Sequence, residues 1–403
     1  MSEVERLTLA DQAAFEAACH LAFHEAAHPI DVEMDQRITD PERTFAVREG
    51  GEIVATGANL ARELTVPGGT VRMGGVSAIG VVAGHTRRGH LTAMMRRLLD
   101  DARDAGEPVA ALWASEGAIY GRFGFGLATR AVRYELQLDR VALRRDIALP
   151  DAPPRVGTPA AALEALRPIH ARVRAATPGM LDRRGAWWER RIHDPEHRRD
   201  GAGPLRAAVQ PGPDGEPAGY SLFAAKTSWD DHGPAGLVIV RELAAETPEA
   251  RAGLWRLLLG MDLVRTLQWR LAPDHDPVAH ILTGNDAVDR RAGDGLFVRL
   301  LDVEAALSAR SYAVPADLVL EVDDRFCPEC GGRFRLRDGR CARTDDEADL
   351  ALGAEALGAI YLGGTPLTAL AAAGRVRELR PGALLEAATA FRSAVEPWCP
   401  EIF

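Results

Sequence analysis

Residues 76–126 decide the fold, and they read VSAIGVVAGHTRRGHLTAMMRRLLDDARDAGEPVAALWASEGAIYGRFGFG. The first seven residues of this stretch are apolar and rich in β-branched side chains, which predicts a buried strand. Six apolar side chains then recur at steps of three and four, which places them on one face of a helix: Leu91, Met94, Met95, Leu98, Leu99 and Ala102. Gly106 and Pro108 end that helix, and residues 109–113 form a second short strand. The stretch therefore predicts a strand–helix–strand unit.

The turn between the first strand and the helix, residues 83–89, is polar and contains two glycines. A helix that begins directly after such a turn leaves its first N–H groups unpaired and the positive end of its dipole exposed. Gly89 has no Cβ, so an anion can approach the backbone, and Arg87 and Arg88 add charge that suits phosphate oxygens. The turn thus predicts a pyrophosphate site, and the alternative is an ordinary solvated basic turn.

Composition limits the class of protein. A chain of 403 residues is long enough for two or three domains, and its net charge of −10 argues against a nucleic-acid binder. The longest apolar runs are too short to cross a membrane, and the charged first twenty residues do not resemble a signal peptide. Five cysteines are few and odd in number, which favours a reducing cytoplasm. The acidic balance favours a cationic substrate, or serves solubility alone.

Residues 9–28 predict a helix that ends in His24-Glu25-Ala26-Ala27-His28, the H-E-x-x-H pattern of zinc proteases. Pro29 follows at once, and the nearest candidates for the third zinc ligand are Glu33 and Asp35, so a zinc protease is an alternative to two simpler interpretations. In one, the motif is only the polar end of the helix. In the other, carboxylates of this region contact a cationic substrate; the candidates are Glu25, Asp31, Glu33 and Asp35.

The remaining pattern predicts a mixed α/β (α+β) chain of three domains, 1–150, 151–296 and 297–403. Further strands are predicted within residues 43–82, 128–138, 219–224, 236–243, 268–271, 318–322 and 332–336, and helices over residues 170–191 and 249–264 with three more near the C-terminus. Proline and glycine in residues 151–159 indicate a linker. The second domain repeats the strand–helix–strand order without the glycine turn.

Residues 114–126, ASEGAIYGRFGFG, resemble the signature of the Eis (enhanced intracellular survival) family of GNAT N-acetyltransferases, and residues 361–403 also look like that family. Thr86 and Leu91 depart from the coenzyme A loop of GNAT enzymes, whose pattern places Arg or Gln and Gly or Ala at these positions, whereas Gly89 agrees with it. The resemblance implies tandem GNAT-like domains, of which the second has lost cofactor binding, followed by a sterol-carrier-protein-like domain. It also implies acetyl-CoA as co-substrate, no metal, and a homohexamer.

The same resemblance, together with the chemistry above, predicts the site residues. Those expected at the cofactor are Ser77, Ile79, Val81, Arg87, Arg88, Gly89, Leu91 and Ser115. Tyr120 is the predicted general acid for the departing thiolate, and the alternative is an aromatic packing residue. The terminal carboxylate of Phe403 is the predicted base, and Glu401, Glu25 and Glu33 are the predicted acceptor contacts.

The predicted function is acetyl transfer to primary amines of polycationic small molecules, with aminoglycosides and polyamines ahead of lysine side chains. The main alternative is a non-catalytic scaffold or apolar-ligand carrier with a vestigial coenzyme A site. Cys327, Cys330 and Cys341 depart from the family pattern, and they are either half of a zinc site or ordinary thiols.

Overall fold

The computed structural model describes residues 2–403 apart from the side chain of Asn285, and it contains three main sheets with helices against them. The elements up to residue 137 are β1 (Glu5–Arg6), α1 (Gln12–Phe23), α2 (Pro29–Ile38), β2 (Thr44–Glu49), β3 (Glu52–Val66), β4 (Gly69–Val81), α3 (His90–Asp104), β5 (Val109–Trp113), β6 (Gly126–Leu127) and β7 (Arg130–Gln137). A 3-10 helix, Gly117–Phe123, precedes β6. β4 and β5 are parallel and α3 connects them, so the predicted strand–helix–strand unit is confirmed.

The middle of the chain, residues 142–300, supplies six of the seven strands of the second sheet, and β7 supplies the other. Its elements are β8 (Ala142–Leu143), β9 (Arg155–Gly157), α4 (Pro159–Ala176), α5 (Ala186–Ile192), β10 (Arg206–Pro211), β11 (Pro217–Lys226), β12 (Trp229–Asp230), β13 (Gly233–Pro234), β14 (Gly236–Ala245), α6 (Pro248–Leu259), β15 (Val264–Ala272), α7 (Val278–Ile281), β16 (Leu282–Thr283), β17 (Val288–Asp294) and β18 (Leu296–Leu300). β14 and β15 are a second parallel pair, joined by α6. The strand–helix–strand order therefore occurs twice.

The C-terminal part forms the third sheet, in the order β21-β20-β19-β22-β23. Its elements are α8 (Val303–Ser308), β19 (Asp317–Asp323), β20 (Gly332–Arg337), β21 (Arg340–Arg343), β22 (Leu350–Gly353), α9 (Ala354–Ile360), α10 (Leu367–Ala372), β23 (Val376–Glu378) and α11 (Ala383–Ala390). α9 packs directly on β6 and β18 of the first sheet. Gly358 of α9 leaves no room for a Cβ because the Val298 carbonyl lies against it. The third unit is therefore in backbone contact with the first.

The first two sheets exchange strands. The first has the order β1-β2-β3-β4-β5-β18-β6, and the second has the order β17-β7-β15-β14-β11-β10-β9. β7 thus leaves the first unit to pair with β15 and β17, and β18 returns to pair with β5 and β6. The sheets cut across the boundaries predicted at residues 150 and 296, because pairing between distant strands is not visible in local patterns.

Two predicted helices differ in the structure. The helix predicted over residues 9–28 ends at Phe23, where His24 adopts a left-handed conformation with φ of 58°. The helix predicted over 170–191 is interrupted between α4 and α5, where Pro178 and Gly179 break the backbone pattern and Gly179 has φ of 92°.

Candidate active site

A cleft of about 900 Å³ lies between α1, the end of β4, the turn before α3 and the end of β5. Most of the predicted site residues line it: Ser77, Ile79, Val81, Arg87, Gly89, Leu91, Ser115, Tyr120, Glu25 and Phe403. Arg88, Glu33 and Glu401 are not among its lining residues. The structure thus brings residues from both ends of the chain to one cavity.

The cleft begins where β4 and β5 separate. The two strands pair only from Met73–Val109 to Gly75–Ala111, although β4 continues to Val81. Ala78 has φ of 52° and, with Ile79, faces the single residue Gly57 of β3, which makes a β-bulge. The edge of β4 that faces β5 is therefore open beyond Gly75 among the described strands. Its main-chain groups can pair with an extended, amide-containing ligand, as an added strand would.

The turn before α3 has the geometry that the glycines predict. Gly89 is the N-cap of α3 with φ of 88°, no side chain caps the helix, and a Cβ at Gly89 would meet nothing within 4 Å. The first N–H groups of α3 are thus free of a side-chain cap at the wall of the cleft, which suits an anion. The equivalent helix of the second unit, α6, is capped by Thr247, whose hydroxyl accepts a hydrogen bond from the Ala250 N–H at 3.1 Å. Only the first of these two helix ends is open.

The two arginines of the turn are placed differently. Arg87 lines the cleft, whereas Arg88 donates to Glu49 and to the Gly84 carbonyl, each at 2.9 Å. The Glu49 carboxylate also forms a hydrogen bond with Nδ1 of the His85 ring, at 2.9 Å. Arg88 therefore stabilises the turn, and Arg87 is the arginine of the turn that lines the cleft.

Tyr120 lies on the 3-10 helix at the end of β5 and is 8% exposed. Burial raises the pKa of its phenol, and the Glu116 carboxylate adds to this effect. Arg299 of β18 supports the helix by donating to the Phe123 carbonyl, and Asp324 pairs with Arg299 at 2.5 Å. Tyr120 is thus a phenol with a raised pKa that lines the cleft on a hydrogen-bonded helix.

The C-terminal tail is docked rather than frayed. The indole N–H of Trp398 donates to the Leu271 carbonyl at 2.7 Å, and the Trp398 backbone N–H donates to Pro178 at 2.8 Å. Phe403 lies against Gly75, where a Cβ would be 3.1 Å from its ring, and it lines the cleft. Ile402 remains 62% exposed.

Glu401 is held away from the cleft by a buried ion-pair network. Its carboxylate, 7% exposed, pairs with Arg62 at 3.0 Å and with Arg183, which also pairs with Glu242 at 2.9 Å. Burial alone would raise the pKa of Glu401, but the guanidinium groups of Arg183 and then Arg62 bring it below its ordinary value. Glu401 is therefore not the acceptor contact that the sequence predicts, because both of its carboxylate oxygens bind internal arginines.

Two further acidic residues named from the sequence are also elsewhere. Glu33 is exposed on α2 and does not line the cleft. Asp31 is buried and accepts hydrogen bonds from His193 at 2.9 Å, His197 at 2.7 Å and Arg198 at 2.6 Å. Asp31 therefore joins α2 to the second unit.

The zinc-protease alternative is wrong in its geometry. Because α1 ends at Phe23, His24 and His28 are not one helical turn apart, and His28 stacks on His197 with ring centroids 3.6 Å apart. Within the part of the chain that the structure describes, no group of three metal-type ligands includes either histidine.

Sequence reasoning missed Glu16 and Glu116, which line the cleft with Glu25 and Asp35. Burial raises the pKa of Glu16 to about 7, and the neighbouring Asp35 carboxylate contributes. A signal was present: Glu16, Cys19, His20 and Phe23 recur at helical steps of three and four, and all four line the cleft. The acceptor side of the cleft is therefore acidic.

Comparison with known proteins agrees with this architecture. An acetyltransferase (GNAT) domain model matches residues 3–128, a second GNAT model matches 179–300, and a sterol carrier protein domain model matches 303–400. N-acetyltransferase Eis of Mycobacterium tuberculosis is 36% identical over 370 residues, covering 86% of this chain and 85% of its own. The chain belongs to the Eis family of GNAT N-acetyltransferases. It is an acyltransferase with tandem GNAT domains and a sterol-carrier domain.

Other relatives support the same assignment. An uncharacterized N-acetyltransferase of Streptomyces avermitilis is 46% identical over 376 residues, 92% of each chain. The crystal structure of Eis1 from Mycobacterium abscessus superposes with a TM-score of 0.85 at 31% identity, with both chains fully covered. A GCN5-related N-acetyltransferase of Anabaena variabilis shares the fold, with a TM-score of 0.85 at 19% identity. The likeness therefore extends over the whole chain.

Glu401→Ala should destabilise the protein rather than change acceptor recognition alone. The substitution removes a buried carboxylate that Arg62 and Arg183 share, and leaves them only Asp182 and Glu242 as partners, which costs about 3 kcal/mol in the free energy of unfolding. Urea unfolding followed by tryptophan fluorescence measures this loss, with Glu33→Ala at an exposed site as control. Unchanged stability with a raised acceptor KM would instead return Glu401 to the acceptor site.

Proposed function

We propose that this protein transfers the acetyl group of acetyl-CoA to a primary amine of a small polycation, with aminoglycosides and polyamines ahead of lysine side chains. One observation carries the proposal: a single cleft has an uncapped helix N-terminus with Arg87 at one end, Tyr120 in its wall, and carboxylates around its acceptor side. GNAT enzymes as a class use acetyl-CoA, and the cleft fits such a molecule.

The chain's own groups account for cofactor binding. The N–H groups of the first turn of α3 and the Arg87 guanidinium would bind the pyrophosphate. The open edge of β4 at Ile79 and Val81 would pair with the amides of the pantetheine arm, with Ser77 and Ser115 beside it. When bound, acetyl-CoA supplies the acetyl group as an activated thioester.

Proton transfer would require one group of the cleft as an acid and another as a base. Tyr120, kept protonated by its raised pKa, would donate to the departing thiolate. The acceptor amine must lose a proton, and the terminal carboxylate of Phe403 and the Glu16 carboxylate are the bases that the cleft offers. Glu16 has a pKa near neutrality, which suits a group that both attracts an ammonium ion and accepts a proton.

The carboxylates favour an acceptor with more than one positive charge. Glu16 and Asp35 are close enough to raise the pKa of Glu16, so a cation between them would relieve their repulsion. Glu25 and Glu116 add to the acidic lining, and Glu116 is near enough to Tyr120 to raise the pKa of its phenol. A second ammonium group on the acceptor would therefore bind while the first reacts.

The described residues include no helix that is both long and apolar enough to span a bilayer. We further propose a cytoplasmic homohexamer, on the basis of the family resemblance and the free cysteines. Light scattering after size-exclusion chromatography measures the number of subunits.

The test of the proposed function is thiol release from acetyl-CoA with a panel of amines: kanamycin, neomycin, spermidine, histamine and a lysine peptide. Release that depends on the polycations supports the proposal. Release only with the monoamine or the peptide would overturn the acceptor class and leave the transferase in place. No release by protein that also fails to bind coenzyme A would overturn the cofactor assignment.

Tyr120→Phe should lower kcat by about 10²-fold or more while leaving coenzyme A affinity unchanged, because the phenol would donate a proton only during thiolate departure. Stopped-flow turnover and coenzyme A titration measure the two effects. Tyr134→Phe, which removes a buried hydroxyl in the second sheet, is the matched control. Wild-type turnover by Tyr120→Phe across the pH range would remove this residue from the mechanism.

Glu16→Gln should lower kcat/KM for polyamines by about tenfold to a hundredfold, since it removes a charge-assisted hydrogen bond. In the wild type, kcat/KM should rise with pH through about 7 as Glu16 ionises, and the variant should lack this inflection.

The raised pKa of Glu16 also predicts how the stability of the wild type and of Glu16→Gln should differ with pH. The folded pKa of Glu16, about 7, exceeds the ordinary value of 4.5, so the folded state binds more protons in between and the wild type loses stability as the pH rises through that window. Glu16→Gln should therefore be the more stable protein at pH values above the window. Glu164→Gln, at an exposed site of α4, is the control, and identical pH profiles for wild type and Glu16→Gln would contradict the role.

A further inference from the structure

Two cysteines of the third unit lie together in the loop between β19 and β20. Cys327 and Cys330 flank a 3-10 turn in which the Cys330 N–H donates to the Cys327 carbonyl at 2.9 Å. The turn is held by Asp324, which accepts from the Cys327 N–H at 2.8 Å. The two sulfur atoms lie within 4.8 Å of each other. Residues at the ends of such a turn are close enough for a disulfide.

The two thiols are electrostatically unequal. The Cys327 thiol donates a hydrogen bond that lowers the pKa of Cys330, and the guanidinium groups of Arg299 and Arg103 lower it further. Arg103 Nη1 is 3.8 Å from the Cys330 sulfur. The pKa of Cys327 is raised, first by the same hydrogen bond and then by burial. Cys330, which has Arg103 beside its sulfur atom, is therefore the candidate nucleophile, and Cys327 is its partner.

The remaining cysteines do not share this environment. Burial raises the pKa of Cys19, Cys341 and Cys399, each to about 12. These three thiols are protonated at neutral pH and so are poor nucleophiles.

Cys330 also has an approach route that is separate from the acetyl-transfer cleft. It lines a second cavity of about 630 Å³ between the end of α3 and the third unit, although its own surface is only 5% exposed. The cavity is lined by three guanidinium groups and four carboxylates: those of Arg72, Arg103, Arg343, Glu107, Asp302, Glu304 and Glu329. Cys327, 1% exposed, is not among the lining residues and belongs to the apolar core. A small reagent can therefore reach Cys330 before Cys327.

We propose that Cys327 and Cys330 form a redox-active dithiol site that undergoes thiol–disulfide exchange with low-molecular-weight disulfides. The Cys330 thiolate attacks one sulfur of the disulfide, and one thiolate leaves. Cys327 then loses its proton and attacks the Cys330 sulfur of the mixed disulfide, releasing the second thiolate. The protein dithiol is oxidised to one disulfide bond, and the small disulfide is reduced to two thiols.

A metal ion is the competing occupant of these residues. Glu329 is the third ligand type in the group, but its carboxylate pairs with Arg103 at 2.5 Å. Two guanidinium groups beside the sulfur atoms oppose a divalent cation, and they stabilise a thiolate. The charges at the site therefore favour thiol exchange over metal binding.

The test uses the full-length protein, reduced and freed of reductant, with limiting iodoacetamide at neutral pH and peptide mapping by mass spectrometry. Cys330 should be alkylated first, and Cys341 in the same molecule is the internal control, because it is buried in the same domain with a raised pKa. Equal labelling of Cys330 and Cys341 would overturn the proposal without the need for any variant.

Glutathione disulfide is the probe for exchange. The wild type should release two thiols per chain and lose the mass of two hydrogen atoms, with the new disulfide in the peptide of residues 326–333. Cys327→Ser should stop at a mixed disulfide on Cys330, and Cys330→Ser should not react. Retention of Zn²⁺ by the reduced protein after dialysis, together with resistance to glutathione disulfide, would overturn the proposal in favour of a metal site.

Discussion

The buried carboxylate of Glu401 is the constraint on which the arrangement of the three units depends. It pairs with Arg62 of β3, in the first sheet, and with Arg183, which precedes α5 in the second unit. Arg183 also forms an ion pair with Glu242 of β14. Asp182 and Glu242 offset part of the charge of these two buried guanidinium groups, and Glu401 adds the carboxylate that they share, which holds the C-terminal tail at the junction of the sheets. That return delivers Phe403 to the cleft.

The exchange of strands likewise fixes the position of the 3-10 helix that bears Tyr120. β18 comes from beyond the second unit, yet it pairs with β5 and supplies Arg299 beneath the helix that bears Tyr120. Asp324 of the third unit neutralises Arg299. The position of the proposed acid thus depends on residues that lie far along the chain from Tyr120.

The two GNAT units show what a shared fold leaves undetermined. Both have a parallel pair of strands joined by a helix. In the first, Gly89 leaves the helix end open and the strands separate after three paired residues, so there is space for an anion and for an extended arm. In the second, Thr247 caps the helix and the parallel pairing extends to Trp269. The capacity for cofactor binding that we propose therefore depends on the uncapped helix N-terminus and on the separation of the strands. It does not follow from the topology, which both units share.

The amino-acid sequence by itself determined the local features: the strand–helix–strand unit, the open turn at Gly89, and a motif that presents Tyr120. These depend on residue spacing, on the missing Cβ of glycine and on helix periodicity, all of which act over a few residues. Only the tertiary structure decided the exchange of strands, the internal pairing of Glu401, and the position of Glu16 in the cleft. Those outcomes depend on which distant groups share a buried environment, because burial sets both the cost of a charge and the partner that must offset it.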